Sequence, residues 1–285
     1  MNNPFITVTG IDENTPISLL KKLDAEIGIL YTATPEGRNR YPSREWITKT
    51  ASQLDQVAVH ICGSVARKEL LNGELNTMLH EAQRIQVNGV LTIEETEHIC
   101  AMFPTHTIVT QHTFKNTPLL NVKASNHALL IDASGGRGVS PEQWIRPETD
   151  KQVGFAGGLG SDNLEDQLNL ISPIAKGLWW VDMEGKLRRD DWFSGLSAKA
   201  VVNIFNEWKN KRNQLPSVDH YIDTFGPHAE HKEHSIQKWT ETVTNRQTLS
   251  GYREWVHQCL DVDLLTGKTT TEKEWQTIEQ AWKQK

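Results

Sequence analysis

No run of 18 consecutive apolar residues occurs in the 285-residue sequence, so a membrane-spanning helix is not expected. The N-terminus, Met1-Asn2-Asn3-Pro4-Phe5, lacks the basic and apolar segments of a secretory leader. Cysteine is scarce. Cys62, Cys100 and Cys259 lie far apart and form neither a disulfide framework nor a CxxC metal pair, which predicts a reducing, cytoplasmic setting. Basic charge is also in deficit, with 30 Lys and Arg against 36 Asp and Glu for a net charge of −6, so nucleic acid is not an expected partner. Nothing in the sequence calls for a cofactor or a metal. With 37% hydrophobic residues and a mean hydropathy of −0.52, the chain is polar for a globular protein but not disordered in composition.

What is present is alternation. Short apolar runs are predicted as strands over Phe5–Thr9, Glu26–Tyr31, Gln56–Ile61, Arg84–Val87, Thr107–Thr110, His127–Asp132, Gln152–Ala156 and Leu178–Asp182. Helical patterns fall between them at Ile17–Asp24, Ser43–Leu54, Ala66–Glu81, Ile93–Met102, Asn163–Leu170 and Leu196–Lys211. Eight strands with crossovers are the count of a (β/α)8 TIM barrel, and near-continuous apolar strands suit a buried parallel sheet. The fifth and sixth crossovers are weak, because 116–122 carries a proline and 141–145 is short, so a doubly wound open sheet is the alternative. The barrel is assigned to residues 1–212 and a helical C-terminal extension to 213–285, with helices expected over 236–260 and 271–285. The tryptophans and tyrosines of that extension predict a packing surface, on the barrel, on a second copy or on a protein partner.

In such a barrel the residues that follow each strand form the active site. The most pronounced feature there is Val153-Gly154-Phe155-Ala156-Gly157-Gly158-Leu159-Gly160, running into a helix start near 161–163. Glycines admit an anion close to the backbone, and a helix N-terminus favours phosphate. The bland reading is a turn that needs glycine only to reverse the chain. His228, His231 and His234 are not spaced for one helix face and read as a solvated connector rather than a zinc site. Of the adjacent Trp179 and Trp180, one ring is expected inside the barrel and the other under the helices.

Several segments, in order, resemble the phosphoribosylanthranilate isomerases. They are Thr7-Val8-Thr9-Gly10-Ile11, Arg40-Tyr41-Pro42-Ser43, Gln86-Val87-Asn88-Gly89, Leu129-Leu130-Ile131-Asp132 with Gly135-Gly136-Arg137-Gly138, Ala156-Gly157-Gly158-Leu159 with Asp162-Asn163, and Trp180-Val181-Asp182 to Gly185. The resemblance covers about residues 4–211 and implies a barrel that rearranges a phosphorylated aminoaldose to an aminoketose, as in tryptophan biosynthesis. It implies Asp132 as general acid, Thr9 at the place of the family's cysteine base, and Arg40 as receiver of the substrate carboxylate. Asn88 and Asp182 fall at substrate-binding positions, and Gly157, Gly158, Glu184 and Gly185 at the phosphate site.

The departures from the family pattern are chemical. A threonine hydroxyl cannot act as the thiolate does. Asn88 stands for a histidine, and Glu184 would repel phosphate unless turned away. Two functions follow as expectations. One is an isomerase-like enzyme on a phosphorylated sugar with an altered base. The other is an inactive barrel that binds small anions or proteins. A proton acceptor beside Thr9, with Cys62 and Glu184 as the named candidates, separates them.

Overall fold

The computed structural model describes residues 3–132, 138–141, 143–213 and, in the C-terminal region, 234–245, 247–248, 251–252, 255–256 and 258–259. Eight parallel strands, β1 (Asn3–Thr9), β2 (Glu26–Tyr31), β3 (Val57–Ile61), β4 (Arg84–Val87), β5 (Thr107–Gln111), β6 (His127–Asp132), β7 (Val153–Ala156) and β8 (Leu178–Met183), close into a barrel in chain order. Pairing of β8 back onto β1, from Asn3 with Leu178 to Val8 with Met183, excludes the open sheet. Every strand lies within two residues of its expected span.

Helices α1 (Ile17–Leu20), α2 (Arg44–Ala51), α3 (Ser64–Leu71), α4 (Asn76–Leu79), α5 (Ile93–Met102), α6 (Leu164–Ile171) and α7 (Gly195–Asn213) cover the sheet. The N-terminus of α5 is fixed by a capping box, in which Thr92 and Glu95 satisfy each other's backbone N–H groups. The helix expected over 66–81 is divided into α3 and α4, because Gly73, at φ 77°, turns the chain between them. The fifth crossover is a 3-10 helix (Phe114–Asn121) around Pro118. A two-stranded hairpin after β8, β9 (Arg188–Arg189) and β10 (Trp192–Phe193), was not foreseen.

Side chains alternate between the helix layer and the barrel axis. Ile6, Val8, Ile27, Ile29, Val59, Ile61, Phe155 and Val181 pack under the helices, in the main core. Val109, Ala128, Leu130 and Trp180, with Phe5 and Ala156, form a separate small core inside the barrel. The two tryptophans divide as expected. Trp179 meets Phe155 and Trp208 in the helix layer, while Trp180 stacks on Phe5 inside. Trp180 fits because Gly154 faces it. A Cβ on Gly154 would fall 2.1 Å from the indole.

The axis is not uniformly apolar. Glu26, Arg84, His60 and Gln86 are buried on β2, β3 and β4. The Arg84 guanidinium lies over Trp180, 4.0 Å from the ring centroid, and over Phe5, and it pairs with Glu26 at 3.5 Å. Thr7 donates to the same Glu26 carboxylate at 2.9 Å.

The chain divides into two compact units, Met1–Trp208 and Lys209–Lys285. In the second, α8 (Ile236–Thr244) is capped by Ser235, and Trp255 and Val256 are buried with Trp239, Tyr252 and Cys259 around them. Of the helix expected over 236–260, α8 covers Ile236–Thr244, and Tyr252, Trp255, Val256, Gln258 and Cys259 are again helical. The helix expected over 271–285 lies outside the described residues. No helix among the described residues is long and apolar enough to cross a membrane.

Candidate functional site

The C-terminal ends of the strands surround a cavity of about 290 Å³. Thr9, Arg40, Asn88, Asp132, Gly157, Gly158, Asp182, Glu184 and Gly185 all line it. Register places two of them with care. Asp132 pairs with Ala156, and Ala156 with Asp182, so the two carboxylates end strands on either side of β7. The small Ala156 between them keeps the space open.

Thr9 meets a proton acceptor, and it is neither Cys62 nor Glu184. Its Oγ1 donates to Asp182 Oδ1 at 2.6 Å. Gly28 on β2 makes room for this contact, since a Cβ there would fall 2.1 Å from Thr9 Oγ1. Burial pushes the Asp182 carboxyl up to about 6, and nearby Asp132 adds to the rise, while the Thr9 hydrogen bond and Arg84 oppose it. Cys62 is no substitute base, because burial pushes its thiol up to about 12. Asn88 donates to that sulfur at 3.3 Å.

Arg40 reaches the cavity already paired with a carboxylate. Its Nη1 lies 3.1 Å from Glu184 Oε1, an ion pair that joins the β2 and β8 loops. Glu184 therefore does not turn away from the site, as phosphate binding there would require. It faces the cavity, takes the arginine, and is driven toward its neutral form chiefly by burial. The other cation at the wall, Lys186, holds Asp162 at 2.7 Å. Arg188 follows β8 on the hairpin. Its side chain is buried beside Asp12 and donates to the carbonyls of Gly10 and Asp191, tying the hairpin to the β1 loop. Arg189 is exposed, and Arg137 lies outside the described residues with Gly135 and Gly136.

The glycine run has a packing reason of its own. Gly158, at φ 65°, lies against the 138–140 segment, and a Cβ would fall 2.3 Å from Ser140 N. Asn163 spans the loop, accepting from Gly160 N–H at 2.9 Å and donating to Gly158 O and Ser140 Oγ. The Gly160 N–H is thus spent inside the protein. The following helix begins at Leu164, with Glu165 and Asp166 in its first turn, which disfavours an anion at that terminus.

Two wall residues were not singled out from the sequence, His60 and Lys186. Gln86 appeared there only inside a motif. Its amide donates to His60 Nδ1 at 3.2 Å and to Asn88 Oδ1 at 3.1 Å. Burial, reinforced by Arg84, pushes His60 down to about 3 and keeps it neutral. The signal was available, because His60 and Gln86 are polar residues at barrel-facing positions of otherwise apolar strands. No cluster of three or more potential metal ligands occurs among the described residues.

Fold and site together define a (β/α)8 barrel with a polar, carboxylate-bearing cavity at its strand ends. Among solved structures it is similar to the phosphoribosyl anthranilate isomerase of Thermus thermophilus, with 19% identity over 73% of this chain and 99% of that one and a TM-score of 0.52. It is likewise similar to TrpF of Jonesia denitrificans, with 19% identity over 73% and 98% of the two chains and a TM-score of 0.55. At such identity the likeness is one of fold. No protein-family model matches the chain, and no curated protein matches it.

Proposed function

We propose that the chain is an aldose–ketose isomerase acting on a small phosphorylated sugar, with Asp132 as general acid and Asp182 as general base. The observation that carries this reading is the pair of carboxyl groups flanking Ala156 on one cavity wall. Asp132 gives a proton to the ring oxygen, and the anomeric hydroxyl gives up its own to the resulting carboxylate, which opens the sugar. The Asp182 carboxylate takes the proton at C2, and the electron pair moves toward C1. The same carboxyl group then returns the proton at C1. A base that titrates near 6 is ionised at neutral pH yet still able to receive a proton. Thr9 is not the base. It holds the Asp182 carboxylate in position.

In this reading Glu184 leaves the cavity when the substrate enters, the phosphate is received between the Gly157-Gly158 turn and the Gly185-Lys186 turn, and the released Arg40 takes a second anionic group. The same two ion pairs favour the second reading, an inactive barrel acting as a small-anion-binding or protein-interaction module, because both wall cations already hold carboxylates. The two readings are separated by thermal stabilisation and turnover with ribose 5-phosphate, N-(5′-phosphoribosyl)anthranilate and inorganic phosphate. An isomerase is stabilised by the sugar phosphates and converts at least one of them, and it loses conversion but not stabilisation in Asp132→Asn and Asp182→Asn. Stabilisation without conversion supports the binding module. No stabilisation at millimolar concentrations contradicts both the isomerase and the anion site.

A further inference from the structure

We propose that His60 binds the substrate as a neutral hydrogen-bond donor, its Nε2–H directed at the oxygen on the carbon next to the one Asp182 deprotonates. This inference rests on the isomerase reading and adds the group that stabilises the oxygen where charge develops.

Three observations carry it. First, His60 lines the cavity floor, and its Nε2 has no hydrogen-bond partner although the side chain is 2% exposed. A buried N–H without a protein partner is costly, and this one belongs to a residue lining the cavity, where a ligand atom can satisfy it. Second, the tautomer is set. Gln86 Nε2 can only donate, so His60 Nδ1 accepts, and the ring proton of the neutral imidazole is on Nε2. Third, Nε2 lies 3.8 Å from Asp182 Oδ2, while Thr9 occupies Oδ1. That gap is too long for a hydrogen bond, so the base does not take up the Nε2–H, which stays available to a substrate oxygen lying beside the carboxylate.

The chemistry balances without a further reagent. The carboxylate takes the C2 proton, the C2–H electron pair forms the C1–C2 double bond, and the former carbonyl pair goes to the oxygen on C1, which takes the proton of the C2 hydroxyl as the ketone forms and the carboxyl group protonates C1. The imidazole donates to that oxygen without giving up its proton. A neutral imidazole is suited to this, since an imidazolium beside Asp182 would pair with the base and suppress it.

The test uses the full chain with ¹⁵N-labelled histidine and two probes, inorganic phosphate and 4-phospho-D-erythronohydroxamate. The hydroxamate carries the planar oxygen pair of the enediolate formed from ribose 5-phosphate. The expected result is a downfield move of the His60 Nε2–H resonance on adding hydroxamate and none on adding phosphate. His60→Leu is expected to weaken the hydroxamate at least tenfold and phosphate less than twofold, with part of the loss restored in His60→Gln. An unmoved resonance with the hydroxamate bound overturns the proposal even if His60→Leu does not fold, and so does equal weakening of both probes. Phosphate binding without hydroxamate binding overturns the role of His60 and leaves the anion site standing. Binding of neither probe removes the isomerase reading as well.

Discussion

Thr9 and Asp182 are 173 residues apart in sequence and 2.6 Å apart in the barrel, the hydroxyl of one donating to the carboxylate of the other. Thr9 falls where a resemblance to the phosphoribosylanthranilate isomerases puts a cysteine base. The β8 carboxylate thus reaches the place from which a strand-1 base would act. In the isomerase reading proposed above, Asp182 rather than Thr9 is the base, and Thr9 holds it in position.

Gly28 keeps that support in place. Gly28→Ala brings a Cβ against Thr9, 2.1 Å from Oγ1 and 3.0 Å from the Cα, so Thr9 must leave Asp182. Turnover is expected to fall at least tenfold, against a loss of about 1–3 kcal/mol in stability from overpacking. Thr9→Ser keeps the hydroxyl and is expected to retain turnover within about threefold, whereas Thr9→Val is not. Steady-state kinetics beside denaturant melts separate the two effects. Full activity in Thr9→Val would show that the hydrogen bond is idle.

Arg84 and Glu26 form a buried ion pair beneath the site, and each is driven toward its neutral form first by burial. Removing one partner leaves the other charge uncompensated, so Arg84→Met is expected to cost about 3–5 kcal/mol. Arg84→Met with Glu26→Gln is expected to recover a large part of that loss. Urea unfolding of the single and double variants measures it, and purely additive losses would contradict the pairing.

Glu184 competes with any anion for Arg40, at 3.1 Å. Glu184→Gln removes the competing charge and is expected to tighten inorganic phosphate or carboxylate binding by about three- to tenfold, the equivalent of about 1 kcal/mol. Arg40→Gln is expected to weaken it. Titration calorimetry at fixed ionic strength reads both. Equal affinities in all three proteins would place the anion elsewhere.

Much of this fold is legible in the sequence, for a local reason. Runs such as Ile27-Gly28-Ile29-Leu30-Tyr31 and Leu129-Leu130-Ile131 are apolar on both faces because both faces of a barrel strand are covered, and that pattern needs no partner to be read. The 188–193 hairpin was not legible. Its strands are two residues each, and it is held through Arg188 to Gly10 and Asp12, far away in the chain. The candidate residues likewise collect at one cavity, because the ends of parallel strands share one rim. Their partnerships could not be read, since Thr9 with Asp182 and Arg40 with Glu184 depend on which side chains face each other across the axis. The buried polar axis was there to be seen, in Glu26, His60, Arg84 and Gln86 at barrel-facing positions, but apolar neighbours hid it.

The most direct test of Asp182 as base is the pH dependence of deuterium uptake at C2 of ribose 5-phosphate in heavy water. The charged and titratable groups around this carboxyl are Arg84, Glu26, His60, Asp132 and Glu184, and His60 is neutral throughout because it titrates at about 3. The base works ionised, and its carboxyl is raised to about 6, so exchange is expected to rise tenfold per pH unit below about 6 and to level off above it. In Asp182→Asn the exchange is expected to fall by at least a hundredfold while phosphate still binds. Exchange that is absent from the wild-type chain, or that persists with the same profile in Asp182→Asn, would contradict the account.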